Sequence, residues 1–190
     1  MTGGVDARKA DVRKAAFAAR KTAFAARRDT GSEVAAQAHL RAALVAFGAV
    51  PLSGYLPIRT EIDPVPAMAA HPGAVGVPVI PGAAQPLLFH LWAPGCALID
   101  GPFGAKVPAT GGTMVPRVLI VPMLAFDARG FRLGYGGGVY DRTLALLRAA
   151  GPVTALGFAF DAQELAEVPI DAFDQRLDGV ITESGLRRFT

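Results

Sequence analysis

Apolar and polar positions follow two different rhythms along the 190-residue chain. In residues 6–28, Val12, Ala16, Ala19, Ala23 and Ala26 recur at alternating spacings of four and three, one face of an α-helix. Lys9, Arg13, Arg20 and Arg27 form a second stripe, and Lys14, Lys21 and Arg28 a third, with Phe17 and Phe24 between them. Thr30–Gly31–Ser32 breaks the pattern. Ser32 is placed to cap a second helix over 33–48. Short apolar runs then appear between Gly and Pro residues, at 52–58, 75–80, 87–92, 118–122, 153–160 and 179–182, each of strand size. The run Val118, Leu119, Ile120, Val121 is continuously apolar, as a strand covered on both faces must be. Helical spacing returns at 140–150, with Leu144, Leu146 and Leu147. Strands alternating with helices predict a single-domain α/β fold over 1–190, its mainly parallel sheet flanked by helices, with the helices of 6–48 packed on that core. A short helix is also allowed at 61–70.

Composition narrows the chemistry. Gly (22) and Pro (15) are abundant, but without a repeat period. One cysteine, Cys96, excludes an internal disulfide and a multi-thiolate metal site, and His39, His71 and His90 show no ligand spacing. No apolar run is long enough to span a bilayer. The Arg/Ala-rich start resembles a mitochondrial transit peptide, but Asp6, Asp11 and Asp29 argue against one, so a cytoplasmic protein with no membrane partner is expected. Of the charges, nine Lys/Arg against four Asp/Glu fall in residues 1–42. The remainder is net acidic. A basic segment means either an anionic partner or a solvated face.

The densest chemical signal is 117–142, RVLIVPMLAFDARGFRLGYGGGVYDR. A buried strand leads to Gly134, Gly136, Gly137 and Gly138, and a helix starts near Val139. Glycines at such a junction let backbone N–H groups approach an anion, and the helix N-terminus adds positive potential. Arg132 and Arg142 flank the loop and can add full charges. The bland alternative is a turn needed only for backbone geometry. The flanking strand, helix and arginines favour a phosphate cradle. It is neither a GxxxxGK[ST] loop nor a clean GxGxxG fingerprint.

RLGYGGGVYDR resembles the signature of the 5-formyltetrahydrofolate cyclo-ligase family, and KADVR, YLPIRTEIDP at 55–64 and GFAFDAQELAEVPIDAFDQRLDGVITE at 157–183 match in order. The resemblance implies the fold of ribose-phosphate isomerases and CoA transferases. It also implies ATP- and Mg²⁺-dependent closure of 5-formyltetrahydrofolate to 5,10-methenyltetrahydrofolate. By the same resemblance Lys9 and Arg13 meet ATP phosphates, and Arg132, Leu133, Gly134, Tyr135, Gly136, Gly137, Gly138, Val139 and Tyr140 form the ATP loop. Arg132 and Tyr140 are its catalytic candidates. Tyr135 to Val139, with Leu56 and Glu61, contact the reduced folate, and Asp141 and Asp174 hold the metal. For Arg20 and Arg27 a solvated stripe is the expectation. The alternative to a ligand role is a helix-start carboxylate for Glu61 and Asp141, and a turn residue for Asp174. Met68, Phe89 and Trp92 are expected in the core. Val107, Phe173 and Val139 stand where the family often has an acidic residue, histidine and tyrosine, which leaves room for a shifted substrate. A monomer or weak homodimer without a nucleic-acid partner is expected. The competing readings are a sugar-phosphate isomerase-like enzyme of the same architecture and an RNA-binding module using the basic first helix.

Overall fold

The computed structural model describes residues 3–189 of the expected 1–190 domain, with side chains from residue 7 onward. Its centre is a seven-stranded sheet built from β1 (Leu52–Ser53), β2 (Val75–Val79), β3 (Leu88–Leu91), β6 (Val118–Val121), β9 (Thr154–Phe158), β11 (Gly179–Thr182) and β12 (Gly185–Arg188). The spatial order is β12-β11-β9-β6-β1-β2-β3. The inner pairings are parallel, with Leu52 opposite both Val75 and Val118, and Val118 opposite Thr154. Only the outermost strands, β12 and β3, run antiparallel to their neighbours. The expected α/β architecture with a mainly parallel sheet is therefore what the chain adopts.

Alternation along the central strands explains the layers. Val118 and Ile120 point into a cluster with Leu40 and Leu44 of α2 (Ser32–Val45), Leu156 and Phe158. Leu119 and Val121 point the other way, onto Leu144 and Leu147 of α4 (Val139–Ala150). All four β6 residues are buried, as two covered faces require. Met68, of the short α3 (Val65–Ala69), and Phe89 are core residues, and Trp92 packs at the core's edge, as expected.

Helix α1 (Gly3–Thr30) starts earlier and ends later than the periodicity indicates. Its Ala16, with Val12 and Phe17, covers Leu124, Ala125, Leu133 and Val168. That third cluster belongs to a small sheet, ordered β10-β7-β8, of β7 (Ala125–Asp127), β8 (Arg132–Leu133) and β10 (Glu164–Leu165). A hairpin, β4 (Leu98–Asp100) with β5 (Lys106–Pro108), stands outside both sheets. Ser32 is not the cap of α2. Gly31 occupies that position without a side-chain cap, and the Ser32 N–H turns back to the Thr30 hydroxyl.

The run 52–58 is a strand only at Leu52–Ser53. Beyond Gly54 the chain leaves the sheet, and Tyr55 is anchored by donating its hydroxyl to the Ile62 carbonyl at 2.7 Å. This departure lies beside the place where the sheet order reverses, between β1 and β6. Parallel α/β sheets open a crevice at the carboxyl ends of such a strand pair.

Candidate active site

A cleft of about 990 Å³ fills that crevice. Its walls include Tyr55, Leu56 and Pro122 from the carboxyl ends of β1 and β6, the glycine-rich loop 134–138, and the start of α4. Lys9 and Arg13 reach it from α1, Asp171, Phe173 and Asp174 from the loop before β11, and Phe103 and Val107 from the outlying hairpin. Every residue assigned to ATP, folate or metal by resemblance therefore lines one cavity.

The glycine-rich loop is shaped by two left-handed residues. Gly136 has φ 102° and Gly138 φ 60°, and a Cβ on Gly136 would sit 3.3 Å from the Arg13 guanidinium carbon. Gly138 is the N-terminal cap of α4, so the first amides of that helix open onto the cleft without a side-chain cap. Arg13 donates to the Gly134 carbonyl at 3.0 Å, and Arg142 to the Gly137 carbonyl at 2.6 Å. Both arginines thus hold the loop while keeping positive charge beside it.

The cations are distributed unevenly. Arg132 is buried and donates to the Gln175 carbonyl at 2.6 Å and to Asp141 Oδ1 at 2.8 Å. Asp141 Oδ1 also accepts the Gln175 N–H, so the first turn of α4 is tied to the 171–175 loop. Lys9 places its ammonium 2.7 Å from Asp171 and 2.6 Å from Asp174. Burial pulls the Lys9 pKa down, but the hydrogen bonds and charges of the two carboxylates together outweigh it and raise the pKa above the ordinary lysine value. Arg59, in the left-handed region at φ 57°, makes no hydrogen bond or ion pair among the described residues and faces the Phe17 and Tyr135 rings.

At the inner end lies Glu61. It does not start a helix; it closes a turn whose Glu61 N–H bonds the Ile58 carbonyl, and α3 begins only at Val65. Its Oε2 accepts the Ile58 N–H at 2.9 Å and its Oε1 the Tyr135 hydroxyl at 3.1 Å. Burial raises its pKa above the usual carboxylate value, opposed by the Ile58 N–H, the Arg20 charge, the Tyr135 hydrogen bond and Arg59. The Tyr140 hydroxyl is buried in the same cleft with no hydrogen-bond partner among the described residues, and burial keeps it protonated far into the alkaline range. A buried donor left unmade is expensive, and a ligand acceptor would relieve it.

Arg20 overturns the expectation of a solvated stripe. It is 1% exposed and donates to Thr60 Oγ1 (3.1 Å), the Met123 carbonyl (3.2 Å) and the Tyr135 hydroxyl (2.6 Å). The available signal was its place on the stripe of Lys9 and Arg13, already read as facing a ligand. Arg27 lies away from the cleft, paired with Glu33 at 3.1 Å and stacked on Phe24. Asp171 was also missed; nothing in its local sequence distinguishes it from Asp174. Of the three substituted positions, Val107 is buried in the cleft wall and Val139 lines it, whereas Phe173 stands 82% exposed at its lip. His39 and His71 turn to backbone carbonyls of Thr182 and Val50. No described helix is long and apolar enough to cross a membrane.

Comparison with known proteins decides among folds that share such a cleft. The 5-formyltetrahydrofolate cyclo-ligase family model matches residues 97–183, a segment that contains the glycine-rich loop, Asp141 and Asp174. Over part of its length the chain is similar to the 5-formyltetrahydrofolate cyclo-ligases. It is 43% identical over 67 residues to the Escherichia coli (strain K12) cyclo-ligase, covering 35% of this chain and 36% of that protein. To the Haemophilus influenzae cyclo-ligase it is 31% identical over 113 residues, 56% of this chain and 60% of the relative. The sequence matches thus span about a third to three fifths of these cyclo-ligases' own length. The structural match is wider. The Aquifex aeolicus 5,10-methenyltetrahydrofolate synthetase superposes with a TM-score of 0.71 at 26% identity, over 95% of this chain and 92% of that one.

Proposed function

We propose that the chain is an ATP-dependent cyclo-ligase that converts 5-formyltetrahydrofolate to 5,10-methenyltetrahydrofolate, releasing ADP and phosphate. The observation carrying this reading is a single one: the glycine-rich loop with its arginines and the buried Glu61 carboxylate face the same cleft, joined through Tyr135. An anion cradle and a site for a ring edge rich in N–H donors are thereby placed side by side.

Each Glu61 oxygen holds one protein donor, so each keeps one lone pair for a pterin N–H. Leu56 flanks that position. The loop amides and Arg13 receive the polyphosphate, and Arg132 holds Asp141 against the start of α4. The formyl oxygen attacks the γ-phosphorus and the bond to the ADP oxygen breaks, giving an iminium phosphate. The N10 lone pair then bonds the formyl carbon, the carbon–oxygen bond breaks, and phosphate leaves as N10 loses its proton. Both nitrogens belong to one molecule, so placement and charge stabilisation carry the catalysis. The unpartnered Tyr140 hydroxyl is the donor available to an oxygen of the reacting group.

A magnesium ion fits the donor set without filling it. Hydrogen bonds fall on Oδ1 of Asp141 and Oδ2 of Asp174, leaving the other oxygen of each without a partner among the described residues. No group of three or more metal-ligating side chains occurs among those residues. When bound, the ion would neutralise charge developing on the transferred phosphoryl group.

The burial of Lys9 and Arg20 removes two members of the basic stripe from any exposed RNA-binding surface. The test is purified protein with 5-formyltetrahydrofolate, ATP and Mg²⁺, read by the methenyl chromophore and by ADP release. Both should appear, and chromophore without added nucleotide should not. Folded protein that yields neither, or that turns over a sugar phosphate without ATP, would overturn the proposal.

A further inference from the structure

A guanidinium removed from water needs every donor placed and its charge answered. Arg20 gives each of its three nitrogens one acceptor, in an unusual way. Its nearest carboxylate, Glu61, stands 3.8 Å away, while its hydrogen bonds go to neutral oxygens on three separate segments: Thr60, Met123 and Tyr135. Arginine has only donors, so the Tyr135 oxygen must accept from Arg20. A phenol has one proton, which leaves Tyr135 donating it to Glu61 Oε1. The direction of the whole relay is therefore set by Arg20, and it ends on a carboxylate oxygen that must be an acceptor.

We infer that Arg20 is a positioning residue: through the Tyr135 hydroxyl it aims the Glu61 carboxylate at the pterin edge and ties that carboxylate to the seating of the glycine-rich loop on α1. The inference rests on the reading of Glu61 as the pterin-binding group. It makes the two substrate sites parts of one unit, because Tyr135 belongs to the loop and Glu61 to the other wall.

The groups facing Glu61 are Arg20 from α1, Tyr135 from the loop, Tyr140 from α4, Tyr55 from the end of β1 and Arg59 from its own turn. Without the Arg20 charge, burial is opposed by less and Glu61 holds its proton to higher pH. A protonated Glu61 meets one pterin donor with a donor of its own, and binding weakens.

The test compares Arg20→Gln, Arg20→Lys and Tyr135→Phe with the wild-type protein. One readout is the ¹³C titration of the Glu61 carboxyl in ligand-free protein, the other KM and kcat for 5-formyltetrahydrofolate across pH. Arg20→Gln should move the Glu61 midpoint upward. Its KM should rise about 10- to 100-fold, as loss of a charge-assisted hydrogen bond implies, most at the acid end, with kcat far less affected. Arg20→Lys should restore most of the midpoint but less of the KM, because a single ammonium cannot reproduce the fork. Tyr135→Phe should also raise the midpoint, and decides the matter if Arg20→Gln fails to fold. An unmoved Glu61 midpoint in folded variants, or a KM rise equal at every pH, would overturn the inference. Wild-type protein that forms no methenyl product would instead refute the proposed function, and the carboxyl titration would still test the relay.

Discussion

Replacing Arg132 by alanine removes one of the two ties between the start of α4 and the 171–175 loop, leaving the Gln175 N–H bond to Asp141. The side chain is 5% exposed and its two hydrogen bonds, 2.6 Å to the Gln175 carbonyl and 2.8 Å to Asp141, both disappear. Breaking a fully buried pair costs about 3–5 kcal/mol. Asp141 is 20% exposed and keeps the Gln175 N–H, so part of that cost is relieved by solvent and by the remaining donor. A loss of about 2–3 kcal/mol follows, which for a chain of this size lowers Tm by about 4–12 °C. The variant should still fold, since domains of this kind hold about 5–15 kcal/mol. Turnover should fall by about two to three orders of magnitude, the scale of losing one preorganised charge at a phosphoryl or oxyanion site. Nucleotide affinity should weaken with it. Calorimetric unfolding, isothermal titration with ADP and methenyl formation measure the three effects. A folded Arg132→Ala variant with wild-type turnover would refute the placement of the anion cradle.

Other perturbations separate the parts of the cleft. Glu61→Gln should weaken 5-formyltetrahydrofolate binding at least about 10-fold through the lost carboxylate, while leaving ADP affinity measured by titration close to wild type. Gly136→Ala forces a side chain into φ 102° beside the Arg13 guanidinium, so nucleotide affinity should drop by about 1–3 kcal/mol, read by titration with ADP. Ile120→Ala, at the middle of β6 and fully buried, should cost about 2–5 kcal/mol in denaturant unfolding without altering KM. The Lys9 hydrogen bond is the largest cause holding Asp171 below the usual carboxylate range, so its stabilisation is present above that range and is lost as pH falls through the depressed value. Lys9, raised by the same contact, contributes below the ordinary lysine value and loses its contribution as pH rises through the raised one. Tm measured against pH should therefore fall at both extremes, and Asp171→Asn should flatten the acid limb.

Part of the molecule was legible from one dimension. The three-and-four spacing of Val12 to Ala26 marks α1, and the unbroken Val118–Val121 run marks a strand with two covered faces. Gly134 to Gly138 before an amphipathic helix marks a positive-φ turn that opens uncapped helix amides, because those requirements are local. Their common property is that the physics acts between residues a few positions apart. The strands of the small sheet and the outlying hairpin, two or three residues each, carry too little pattern to be seen.

Arg20 belongs to the other category. On the helix it is one more cation at the interval shared by Arg13 and Arg27, yet the first of these holds the loop, the last pairs with Glu33, and Arg20 is sealed from water. Likewise the local pattern allows Glu61 to be a helix-start carboxylate, and only the fold encloses it in a turn against Ile58 and Tyr135. The longer helices, the central strand β6 and the glycine-rich turn were written in the sequence because they depend on near neighbours. Which charges lose their water, and which partners answer them, was decided only when segments 40 to 115 positions apart met at the end of β1 and β6, since desolvation and pairing are properties of the assembled cleft.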